Sequence, residues 1–296
     1  MKAETLNDHY NSVPLTSKKE AARAICRRGF EAARDAPDEK YTSLAALLEA
    51  QTKMATPLPP GQRETPRFPR FGLTPFAKRF PTNTDNATIH ISGDVATALE
   101  VGTQLQQLPR IEQTSDFHCV TTWTRRGLQW SGYRFVDFHE QIVLPLCQPG
   151  YPPGHQADGL AADASFVVLR GQDGARTSMP LADLLSLDVL LADRLDGQPL
   201  SMEHGAPLRL VAPAHYGYKS VKHLHRIEFW RSSANYRPFG LRFMVHPRAR
   251  VALEERGQWV PGWLLRYLYR PLIGMTVARF ERETRRHRQT LCQGDM

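Results

Sequence analysis

Cysteine is scarce in this chain and never paired. Among 296 residues there are four, Cys26, Cys119, Cys147 and Cys292. They show neither the CxxC spacing of a dithiol redox centre nor the density of a secreted disulfide scaffold, so a reducing compartment is expected. Long apolar runs are also missing. The nearest, Trp259 to Phe280, is broken by Arg266, Arg270 and Pro271, which argues against a membrane span. Arg27-Arg28 is followed by charged residues where a twin-arginine export signal would be apolar, and a cytoplasmic location is the expectation. A GxxxxGK[ST] phosphate loop, a haem-attachment motif, an internal repeat and a nucleic-acid recognition motif are absent as well.

What is present is ordinary in bulk. A charged fraction of 23% and a hydrophobic fraction of 41% suit a globular protein able to bury a core. The net charge of +8 calls for an acidic counterpart. A membrane surface, an acidic protein or an anionic cofactor qualifies, and nucleic acid does not without a recognition motif. Composition divides the chain into a helical N-terminal extension with a Pro-rich linker (1–65), a central α+β domain (66–235) and a basic C-terminal extension (236–296). The arginines of the last segment make it a candidate for peripheral membrane contact. An alternative reading of the whole chain is a basic, non-catalytic interaction module.

Within the central domain the pattern alternates between strands and short helices. Thr88–Ser92, Phe166–Leu169, Thr177–Met179, Leu208–Val211 and Ile227–Trp230 read as strands, and Val189–Arg194 is another apolar run. Ala96–Leu108, Phe135–Leu146 and Leu181–Leu187 have helical spacing. The basic, aromatic, Pro-punctuated segment Arg70–Pro81 reads either as an arm clamped by its phenylalanines or as a loop lying across a planar anionic ligand.

Two stretches carry the chemistry. In the first, a strand ends at Cys119, a basic loop follows, and a second strand opens at Trp130. A thiol at a strand end is a nucleophile, a metal ligand or a buried small hydrophobe. Arg125 and Arg126 would favour its anionic form. In the second, His204 and the strand Leu208–Val211 lead into a loop with Gly217, Lys219, Ser220 and Lys222, residues suited to bonding a phosphate.

Together the two stretches resemble the molybdopterin-binding domain of the sulfite oxidase and methionine-sulfoxide reductase type. The resemblance rests on Asp116-Phe-His-Cys-Val-Thr-Thr-Trp123 with Trp130-Ser-Gly132, on Leu190-Leu-Ala-Asp-Arg-Leu-Asp-Gly-Gln-Pro-Leu200, and on His204-Gly-Ala-Pro-Leu-Arg-Leu210 with Tyr216-Gly-Tyr-Lys-Ser-Val-Lys222. It covers about residues 70 to 230. It implies a mixed β-sheet core with flanking helices, and a molybdenum-molybdopterin cofactor ligated by Cys119. His118, His204, Arg209, Gly217, Lys219, Ser220 and Lys222, with Lys78 and Arg79, would hold that cofactor. It further implies two-electron oxygen-atom transfer on a small-molecule substrate faced by Arg125, Arg126 and Arg176, with a separate electron-transfer partner. One departure stands out: Ala175 occupies the position where sulfite-oxidising members carry a tyrosine, and Tyr151 is the nearby substitute.

Overall fold

In the computed structural model, residues 57–95, 98–147, 164–234, 236–238 and 242–294 are described, and from Leu58 onward they belong to one compact unit. The helices expected in residues 21–53, and Tyr151, lie outside the described residues.

One long strand organises the first sheet. β5 (Trp123–Arg134) pairs antiparallel with β4 (Arg110–His118) over most of its length. Its other edge takes β1 (Arg63–Glu64) in parallel at its start and β8 (Leu190–Leu195) antiparallel at its end. β10 (Arg209–Val211) and the short β9 (Gln198–Pro199) add to β8. Thus β1, from the segment expected to be linker, is part of the sheet. The second strand was expected to open at Trp130, and it begins at Trp123. Arg125 and Arg126, assigned to a loop, are therefore strand residues, drawn in by pairing with Phe117 and by the start of β1.

The second sheet runs β3-β2-β11-β6-β7, with β2 (Ile89–Gly93) and β11 (Leu224–Trp230) parallel and its other pairs antiparallel. β6 is Phe166–Gly171 and β7 is Arg176–Pro180. The helix expected over Ala96–Leu108 is replaced by β3 (Leu99–Val101) and a 3-10 turn (Thr103–Gln107). Leu99 and Val101 sit opposite Ile91 and Ile89, and that pairing overrides a weak helical propensity.

The main core takes side chains from both sheets, among them Ile91, Leu169, Ile227 and Phe229 from one and Tyr133, Leu191 and Leu210 from the other. Phe135, Phe138, Ile142 and Val143 complete it. They come from α1 (Phe135–Phe138) and the π turn His139–Val143 that leads into α2 (Leu144–Cys147). A smaller cluster on the opposite side of β8 includes Leu190, Ala192 and Trp130. Successive strand residues point to opposite faces, so Leu190-Leu191-Ala192 is apolar throughout because both faces are covered.

Helices α3 (Leu181–Leu184), α4 (Gly262–Tyr269) and α5 (Leu272–Gly294) complete the unit. Among the described residues no helix is long and apolar enough to cross a membrane. Phe280 of α5 is buried against Phe76 and Ala77, which docks the C-terminal helix onto the segment preceding β2.

Candidate active site

Cys119 occupies the corner between β4 and β5. Its N–H donates to the Trp123 carbonyl at 2.8 Å, and Thr122 N–H returns a bond to the Cys119 carbonyl at 3.1 Å. Closing so tight a corner places Thr122 at φ 88°, a conformation β-branched residues avoid and one worth about 1–3 kcal/mol of strain. Neighbours hold it there. Arg63 N–H donates to the Thr122 carbonyl, and Gln62 Nε2 donates to the Cys119 carbonyl at 3.1 Å. The fully buried Arg256 donates through Nη1 to Val120 O and through Nη2 to Pro60 O.

The thiol lies 3.1 Å from Thr121 Oγ1. Burial pushes its pKa up, against the Thr121 hydrogen bonds and the charges of Arg256 and Lys222. The cations beside the thiol are Arg256 and Lys222, whereas Arg126 pairs with Glu64. A soft metal ion would displace that proton, since a coordinated thiol is deprotonated.

Cys119 opens onto a cavity of about 370 Å³. The loop after β10 supplies an adjacent wall with Gly217, Ser220 and Lys222. Gly217 N–H donates to the His118 carbonyl at 2.7 Å, stitching loop to hairpin. A Cβ at Gly217 would fall 2.1 Å from Phe117 Cζ, so packing alone already demands the glycine. The other walls are Arg70–Thr74 and Phe76, the turn and strand start Asp173 and Ala175–Thr177, and the C-terminal residues Tyr236, Tyr269, Leu272, Thr276 and Phe280.

Buried positive charge characterises this cavity. Lys222 Nζ donates to the Glu203 carbonyl at 3.0 Å, and its pKa is lowered to about 7 by burial, then by Arg209 and Arg70. Arg70 spends its hydrogen bonds on the carbonyls of Phe76, Ala77 and Arg79 and on Thr284 Oγ1. Burial lowers its pKa too. Arg176 Nε is buried without a hydrogen-bond partner. Cations facing carbonyls carry a desolvation cost that only an anion offsets well. His223 donates from Nδ1 to the Ala206 carbonyl at 2.6 Å and is held neutral, its pKa lowered to about 4 chiefly by burial, so Nε2 remains an acceptor at the cavity wall.

The residues singled out in the sequence separate into two groups. Cys119, Arg176, Gly217, Ser220 and Lys222 line the cavity. Lys219 lies behind the wall, donating to the carbonyls of Ser178 and Pro247 at 2.6 and 2.7 Å, its pKa lowered to about 7 by burial. Arg209 is fully buried beneath Lys222, bonded to the carbonyls of His204, Leu210 and Ser220 and packed over Trp130. His204 stacks on Phe68 with its nitrogens on Ser201 Oγ and the Phe68 carbonyl. His118 bonds Thr124 Oγ1. Arg126 pairs with Glu64, and Arg125 sits in β5 opposite Phe117. Lys78 and Arg79 are exposed at the end of the 3-10 turn Thr74–Lys78.

Thr121, His223, Tyr236 and Arg256 are site residues that no motif singled out, although Thr121 lies within the Asp116–Trp123 stretch. Arg70 and Phe71, from the basic aromatic segment, line the cavity, while Phe76 clamps the same segment against Phe280. Ala175 lines the cavity, and Tyr218, Tyr236 and Tyr269 bring phenols to it.

A soft thiol, buried cations that outnumber the one lining carboxylate, Asp173, and aromatic walls around one cavity define a site for an anionic, metal-bearing organic cofactor. The oxidoreductase molybdopterin binding domain matches residues 77–236, more than half of the chain, and the protein belongs to that family. It is therefore a molybdopterin-dependent oxidoreductase of the sulfite oxidase type. The uncharacterized oxidoreductase YuiH of Bacillus subtilis is 34% identical over 155 residues, 52% of this chain and 69% of its own length. The protein-methionine-sulfoxide reductase catalytic subunit MsrP of Campylobacter jejuni is 28% identical over 159 residues, half of each chain. The sulfane dehydrogenase SoxCD of Paracoccus pantotrophus aligns with 21% identity over 55% of this chain and 44% of its own, at a TM-score of 0.40, too distant to bear on function.

Proposed function

We propose that the chain transfers an oxygen atom and two electrons to or from a small polar or sulfur-containing substrate in the Cys119 cavity, and exchanges those electrons with a separate protein. In balanced form, substrate and water give oxygenated substrate, two protons and two electrons, or the reverse. When bound, the cofactor supplies the metal at which such two-electron chemistry occurs. The chain's own groups do the remaining work. Cys119 is the thiolate ligand, Lys222 and Arg70 hold the anionic part of the cofactor, and His223 accepts a hydrogen bond from it. Arg176, with its unbonded Nε, faces the polar oxygen of the substrate. Tyr236, beside Arg176 and hydrogen-bonded with Ser178, is a second group for that oxygen. Leu272 and Phe280 exclude water on the opposite side.

The observation that carries this reading is the opening of the Cys119 thiol, of the buried cations Lys222 and Arg70 and of the unbonded Arg176 Nε onto one cavity. The names of relatives add direction: MsrP is a methionine-sulfoxide reductase and a catalytic subunit, which favours sulfoxide substrates and an external electron carrier. The test is a metal analysis with sulfoxide reduction and sulfite oxidation assayed side by side, using a dye as electron donor or acceptor. Wild-type protein is expected to hold about one molybdenum per chain and to turn over a sulfoxide. Cys119→Ala, with near-normal thermal stability, is expected to lose more than about 100-fold in activity, because losing a metal ligand exceeds the loss of a supporting partner. Full activity in Cys119→Ala would overturn the assignment.

A further inference from the structure

The C-terminal helices have a second face that the cavity does not use. On α4, Leu265 and Tyr269 point inward and are buried, while Trp263, Leu264, Tyr267 and Leu268 are exposed. Exposure reaches 54% for Trp263, 77% for Trp259 just before the helix and 65% for Met275 in the first turn of α5. The spacing of Trp263 to Tyr267 and of Leu264 to Leu268 aligns them on one side. A contiguous aliphatic and aromatic patch of this kind marks an interaction surface on a soluble fold.

The charge around the patch selects its partner. From Gly257 to Phe280 there is no Asp or Glu, and from Gly257 to Arg288 seven arginines stand against two glutamates. The guanidinium groups of Arg266 and Arg270 lie 5.9 and 5.6 Å from the centre of the Tyr267 ring, so positive charge sits at the level of the aromatic rings. Apolar and Trp/Tyr side chains on one face with arginines along the rim match the layering of a lipid interface, hydrocarbon beneath and phosphate above. The eight residues of α4 are too few to span a bilayer, so the contact is superficial.

We propose that α4 and the start of α5 dock on an anionic lipid surface, with Trp259, Trp263, Leu264 and Leu268 entering the headgroup boundary and the flanking arginines bonding lipid phosphates. The inner side of the same helices lines the cavity with Tyr269, Leu272 and Phe280, so docking would hold the catalytic cavity close to the membrane plane.

The experiment is co-sedimentation of the full-length, molybdenum-loaded protein with vesicles of phosphatidylcholine alone and of phosphatidylcholine mixed with phosphatidylglycerol. Wild-type protein is expected to bind the anionic vesicles at least about tenfold better than the neutral ones, and added salt should weaken that binding. Trp263→Glu with Leu268→Glu is expected to weaken it about tenfold or more. Molybdenum content and melting temperature should stay at wild-type values, because both side chains are exposed. Arg279→Gln and Arg282→Gln should each cost about fivefold. Failure to bind either vesicle, or equal binding by the double variant, overturns the proposal. So does a wild-type dimer that the double variant makes monomeric, since the face then serves a second copy of the chain.

Discussion

The cavity has two kinds of wall. The sheet side, from the Cys119 corner and the Gly217–Lys222 loop, is polar, cationic and bonded backbone to backbone, as in Gly217 N–H to His118 O. The helix side, Leu272, Thr276 and Phe280, is largely apolar and held by packing. Hydrogen-bonded corners fix donor atoms to fractions of an ångström, whereas packed helices determine how water is excluded. The contrast implies that substitutions on the sheet side change the chemistry and those on the helix side change stability and access.

The sharpest break in that contrast would come from Phe280. Phe280→Ala removes a buried ring whose loss typically costs about 3–5 kcal/mol, so the urea midpoint should fall strongly. Molybdenum bound in the remaining folded fraction should stay at wild-type stoichiometry, and its disappearance would make the helix wall part of the chemistry. The two lysines of the loop sharpen the comparison within the sheet side. Lys219→Met orphans the carbonyls of Ser178 and Pro247 and should destabilise by about 2 kcal/mol while leaving cofactor content intact. Lys222→Met orphans one carbonyl where Lys219→Met orphans two, so metal-free stability should fall by about half as much. Its cofactor content should fall at least about tenfold, measured as fluorescent pterin after oxidation. Identical behaviour of the two variants would erase the distinction between them.

The smallest effect is a pH dependence far from either wall. His139, on the π turn, is held by burial at about 4, below the ordinary histidine value. The unfolded chain takes up this proton first, so stability is complete above about 6.5 and is lost as pH falls toward 4. Lowering pH from 7 to 5.5 should cost about 1 kcal/mol through this residue, and denaturation of His139→Phe should lack that increment.

Much of this was legible in the sequence where local pattern and final environment coincide. The strands β6 and β8 contain the apolar runs Val167–Leu169 and Leu190–Ala192, buried on both faces, and that made them legible. Cys119 and Lys222 were legible through the resemblance, and the cavity joins them. The failures have one cause: tertiary pairing that the local pattern does not announce. Nothing in the basic composition of Arg125-Arg126 announces the pairing of Arg125 with Phe117 that makes a supposed loop into a strand, or the ion pair of Arg126 with Glu64. Nothing near Lys219 announces the two carbonyls that turn it from the cavity. The helix predicted over Ala96–Leu108 yielded to Ile89 and Ile91, whose edge needed covering.

Arg256 reaches across the fold to bind Val120 on one side of the cysteine corner and Pro60 on the other, and both Arg256 and Pro60 lie outside the 77–236 span that defines the family. A fragment trimmed to that span would keep every family motif yet lose the brace that sets the pitch of its sulfur. The flanking sequences therefore hold the backbone of the cysteine corner, which the span that defines the family does not fix by itself.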